Sequence, residues 1–173
     1  MQRRDLLKTV VAGASAGAWA QIPTGGNWKP ALFNAHQDDT VVALTELIVP
    51  ATDTPGAKAA LVNRFIDLIL SESPAARQKQ FLDGLAWLDD YALRRHGAMF
   101  LRCTPAQQTA LLSSLDPAGQ PAADLRPGVR FFQDLKRRTV AGYYTSKIGV
   151  DELNKGGRVP SSYGCSHPGG HPV

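Results

Sequence analysis

From residue 36 to residue 145 the apolar side chains recur every three or four positions and almost never alternate, which predicts helices and no sheet. His36 to Val49 carries Val41, Leu44, Leu47 and Ile48 at helical spacing, with Asp38 or Asp39 placed to cap its start and Pro50 to end it. The stretch PATDTPGA reads as a turn-rich loop. Between about 58 and 72, Leu61, Phe65 and Leu68 combine with Val62, Ile66 and Ile69 into a wide apolar face, so this helix is expected to pack on more than one side. Ser73-Pro74 has the form of an N-cap followed by proline at the first helical position, opening a longer helix to about Phe100 with Phe81, Leu85, Leu88 and Ala92 on one stripe. Thr104-Pro105-Ala106-Gln107 starts another helix with glutamine at the capping-box position, ending near Leu115. A Pro, Gly and Ala linker (117–128) leads to the last helix, about 128–145, which is the most aromatic part of the chain. Residues 21–35 form an extended lead-in, and from about 147 the periodicity fades into an irregular tail. The expected fold is all-α: a small bundle of about five helices occupying 36–173.

The first twenty residues, MQRRDLLKTVVAGASAGAWA, do not belong to that pattern. Arg3, Arg4 and Lys8 give a charged start, a short apolar run follows, and Ala18-Trp19-Ala20 supplies the small residues of a cleavage site. This is the form of an export signal, and the adjacent arginines resemble the twin-arginine type, a route for proteins that have already folded. The expected location is therefore the periplasm. Removing 1–20 from 173 residues leaves 153, the size of one domain. The whole chain is +4 and the signal accounts for +2 of it, so the mature part is too weakly basic to point to nucleic acid. No apolar run after the signal is long enough to span a membrane.

Enzyme motifs are missing. The sequence contains no phosphate-binding glycine loop, no H-E-x-x-H, no nucleophile elbow and no C-x-x-C-H haem attachment site. Three weaker features remain. Cys165, His167 and His171 offer thiolate and imidazole ligands within a glycine-rich tail that lacks a fourth ligand and a stiff frame. The carboxylates Asp38, Asp39, Glu46, Asp53, Asp67, Asp83, Asp89 and Asp90 are read as solvated helix faces and caps rather than an acid–base pair. On the last helix, Phe131 and Phe132 are expected in the core, whereas Tyr143 and Tyr144, at its end beside the tail, are candidates for an interface together with Tyr163. In an oxidising compartment Cys103 and Cys165 could pair, closing a loop of roughly sixty residues worth about 4 kcal/mol on the chain-entropy model. Alternatively, Cys165 could bond another protein.

LTELIVPATDTPGA (44–57), FLDGLAWLDDYALRRHGAMF (81–100), TPAQQTALL (104–112), FFQDLKRRTVAGYYTSKIG (131–149) and the Tyr163-Gly164-Cys165 ending together resemble the gluconate 2-dehydrogenase subunit 3 family. The resemblance spans about residues 40–165 and rests on order and spacing, since none of these motifs is catalytic. It implies a non-catalytic small subunit of a periplasmic sugar or sugar-acid dehydrogenase complex. In such complexes a large flavoprotein of the glucose–methanol–choline type holds FAD and oxidises the substrate, and a cytochrome c subunit with haem often takes the electrons. The small subunit carries the twin-arginine signal for a flavoprotein that frequently has none. No cofactor is expected in this chain, and the substrate, whether gluconate, glucose, another sugar or a polyol, would be chosen in the partner. Two rival readings come from other classes: an independent periplasmic enzyme using the carboxylates or a metal on the Cys/His tail, and a free-standing binding domain.

Overall fold

The computed structural model describes residues 28–117 and 119–154, and every regular element within them is helical. The chain enters α1 (Ala35–Ile48) through Asn34, whose side chain accepts from the Gln37 amide at 2.9 Å while the Gln37 side chain accepts from the Asn34 amide at 3.0 Å. This reciprocal pair satisfies amides that a helix start otherwise leaves open. The cap therefore falls before Asp38 and Asp39, the positions expected from sequence, because Asn34 and Gln37 sit at the spacing a capping box needs. The extended lead-in is observed from Trp28, and it is tied down. Both carboxylate oxygens of Asp67 take part, accepting from the amides of Ala31 at 2.7 Å, Leu32 at 3.0 Å and Phe33 at 3.0 Å. The Arg64 guanidinium lies 4.8 Å over the Trp28 ring.

The second helix starts later than its periodicity suggests. α2 (Val62–Ser71) is preceded by a turn in which Leu61 adopts φ 54. That turn is held from α1 by Glu46, whose carboxylate accepts from the Ala51 amide at 2.9 Å and the Lys58 amide at 2.8 Å. A Cβ on Gly56 would collide with the same carboxylate, so glycine lets the loop close over it. Ser73 does not cap the third helix as expected. Its hydroxyl donates back to the Ile69 carbonyl at 2.7 Å, finishing α2, while the Gln78 side chain donates to the carbonyls of Ser71 and Ser73. α3 (Ala75–His96) stops short of Phe100 because Gly97 turns left-handed at φ 72, and Phe100–Arg102 forms a separate 3-10 turn. α4 (Pro105–Ser114) has the expected capping box between Thr104 and Gln107.

α5 (Arg126–Thr145) is the centre of the bundle and packs against α1, α2 and α3. Where it crosses α3 the helices approach very closely: a Cβ on Gly84 would run into the Phe131 ring, and one on Gly128 into the Trp87 ring. Around this crossing Leu44, Ile66, Leu70, Leu88, Phe100, Leu115 and Leu135 are fully buried, each worth about 1.5–3 kcal/mol relative to exposure. Regular structure does not fade at 147. α6 (Lys147–Asn154) turns back on α5 after Ser146, whose hydroxyl donates to the Tyr143 carbonyl at 2.6 Å and accepts from the Gly149 amide at 3.0 Å. The backbones meet so closely there that a Cβ on Gly149 would strike the Tyr143 carbonyl. The irregular tail expected from 147 thus begins with a two-turn helix.

Candidate interaction surface

α5 presents its tyrosines in opposite ways. Tyr143 is 4 % exposed and donates its hydroxyl to the Pro55 carbonyl at 2.7 Å, so it pins the loop between α1 and α2 to α5. It is a core residue, and its expected place at an interface is corrected by that burial. Tyr144 is 45 % exposed, with its ring edge-on to Tyr143 at 5.3 Å between centroids. Val140 lies one turn before it on the same exposed stripe of α5, and Val150 and Leu153 are exposed three residues apart on α6. All four lie on the two helices that meet at Ser146. Large aromatic and aliphatic side chains that remain outside a well-packed core are the material of a binding surface.

A second feature lies between α3 and α5. The glycine-mediated crossing leaves a groove of about 1160 Å³ beside it, floored by Phe65, Phe81, Trp87 and Phe131 and rimmed by charged residues of both helices. Part of the rim is internally neutralised. Arg138 reaches Asp134 at 2.7 Å, Arg137 reaches the other oxygen of Asp134 at 3.2 Å, and Lys79 pairs with Asp83 at 2.7 Å. The sequence reading singled out neither this groove nor its arginines. Arg77 and Gly84 are seven apart on α3, as are Arg130 and Arg137 on α5, so each pair shares a helix face, but the spacing does not say that the two faces meet.

The carboxylates are mostly structural, though not all are solvated as expected. Asp67 is 2 % exposed, and its three amide bonds explain how it can be buried. Glu46 organises a loop, and Asp89 accepts from the Phe100 amide at 3.1 Å and meets His36 Nε2 at 2.6 Å. Burial pushes the Asp38 carboxyl above the usual carboxylate range, partly offset by the Asn63 amide that donates to it at 2.8 Å. Cys103 is buried with its Sγ 3.6 Å from the Ala98 carbonyl, and burial together with the Asp89 charge raises its thiol. Among the described residues no three His, Cys, Asp or Glu side chains converge to hold a metal, and no helix is long and apolar enough to cross a membrane. Arg3, Arg4, Lys8, Ala18, Ala20, Tyr163, Cys165, His167 and His171 lie outside the described residues.

These polar groups hold segments of the domain together. Its class is that of a small all-helical domain. Residues 35–156 match the family model described as gluconate 2-dehydrogenase subunit 3, which covers more than half of the chain and all six helices. The chain belongs to the gluconate 2-dehydrogenase subunit 3 family, a family of small subunits of the gluconate 2-dehydrogenase complex. No curated protein and no solved structure matches it.

Proposed function

We propose that this chain is the small, non-catalytic subunit of a periplasmic FAD-dependent sugar or sugar-acid dehydrogenase, and that it escorts the flavoprotein through twin-arginine export. The observation that carries the reading is the family match over 35–156 in a chain whose first twenty residues read as an export signal. A catalytic subunit of the glucose–methanol–choline type would hold the FAD, and a cytochrome c subunit would take the electrons. The complex would sit at the outer face of the inner membrane. The exposed apolar side chains of α5 and α6, Tyr144 among them, support the reading by giving the domain material to present to a partner. The substrate is selected in the flavoprotein.

The test is purification. A tag on the C-terminus of the full chain should bring down, from the periplasmic fraction, a large subunit with a flavin absorption spectrum. Recovery of this chain alone, from cells that also make an FAD-dependent dehydrogenase of this type, would contradict the proposal.

A further inference from the structure

We infer that the α3–α5 groove is the seat of an acidic segment of the partner subunit, one that brings a large apolar side chain to the aromatic floor between Trp87 and Phe131. The inference rests on the escort reading and adds the site and the chemistry of what fills it.

Charge is the first argument. Residues 28–154 carry fourteen Lys and Arg against fourteen Asp and Glu, so the domain as a whole is neutral. The groove is not: Arg77, Lys79, Arg130, Arg137 and Arg138 line it against Asp83 and Asp134 alone, five cations to two anions. The remainder of the same stretch therefore holds nine cations to twelve anions. Basic charge is gathered at this groove and depleted elsewhere.

Pairing is the second. Lys79, Arg137 and Arg138 already share Asp83 and Asp134, but among the described residues no carboxylate pairs with Arg77 or Arg130. Arg130 makes only a long 3.5 Å bond to the Arg126 carbonyl one turn back. Two guanidiniums, one from each helix, thus face a common apolar floor without anions of their own. Arginine beside tryptophan is the composition enriched at binding hot spots, and planar guanidinium suits carboxylate.

The occupant is a partner rather than this chain's own C-terminus. Residues 155–173 contain Lys155 and Arg158 and no Asp or Glu side chain, so that stretch carries the same sign of charge as the groove and is repelled by it. An acidic segment with an aromatic or large aliphatic side chain matches both rim and floor.

The test uses the complex reassembled from full-length subunits. Arg77→Glu with Arg130→Glu should weaken binding of the flavoprotein at least tenfold. Lys29→Glu with Arg102→Glu, an equal change of charge on exposed residues outside the groove, should leave it within about twofold. If the reversed pair melts below the native subunit, Arg77→Gln with Arg130→Gln takes its place, and it must flatten the salt dependence of the dissociation constant. A photo-crosslinking residue at Gln133 should then mark a peptide of the partner rich in Asp and Glu. A native complex that the groove variants form equally well overturns this inference and leaves the escort reading standing. Crosslinks to residues 155–173 or to a second copy of this chain overturn it too. A native subunit that binds no flavoprotein overturns the escort reading first, and this inference with it.

Discussion

Asp67 shows how one residue can anchor a segment that has no secondary structure of its own. The lead-in cannot satisfy its amides internally, and the carboxylate takes three of them while shielded from water. Asp67→Ala should lower the stability of the purified subunit by about 3 kcal/mol in denaturant unfolding, since bonds to a charged acceptor are lost and the Phe33 amide is left buried. Asp38 should behave in the opposite sense. Its folded carboxyl is raised by burial, so between the unfolded and folded values the folded state binds more protons and stability falls as pH rises. Asp38→Asn keeps an acceptor for Asn63 and removes the buried charge. At neutral pH the variant should be more stable than the native protein, and the gain should vanish in acid, where Asp38 is protonated in both states; pH-resolved melting curves check this. The two tyrosines separate in the same assay: Tyr143→Ala should unfold the subunit, while Tyr144→Ala should leave its melting temperature nearly unchanged and weaken the complex.

Among the helices, what was legible in the sequence was whatever repeats. The five long periodic segments are all helices, and Thr104-x-x-Gln107 announced its cap correctly because both partners of a capping box lie within four residues. Where the sequence misled, a competing local interaction had won. Ser73 looked like a cap but bonds backward, and the 58–61 stretch continued the apolar period of α2 although Glu46, twelve residues before Lys58, holds it as a turn. α6 is only eight residues long, too short for a period to register, and it is secured by Ser146 and by close backbone contact at Gly149. The glycines of the α3–α5 crossing could not be assigned from spacing alone, because their role depends on which ring each one faces. Gly84→Ala and Gly128→Ala should each cost about 1–3 kcal/mol by forcing Phe131 or Trp87 out of place. Both should also distort the groove, so a loss of partner binding should accompany the fall in melting temperature.

At the scale of the whole molecule, a helical domain sits behind a segment that reads as an export signal for folded proteins. The family match places the domain among subunits of a dehydrogenase complex, and the proposed contacts to a larger partner are the basic groove and the exposed apolar side chains of α5 and α6. Neither the groove nor the burial of Tyr143 was legible in the sequence, because both arise from contacts between segments far apart in the chain. Asp67 was nearly legible: a lone carboxylate among Phe65, Ile66, Leu68 and Ile69 needs buried donors if that face is packed. The escort role is tested most directly by the location of the flavoprotein when Arg3 and Arg4 are both replaced by lysine. If this chain is the escort, flavin-dependent dehydrogenase activity disappears from the periplasm and both subunits accumulate in the cytoplasm. A flavoprotein that still reaches the periplasm in that strain would contradict it.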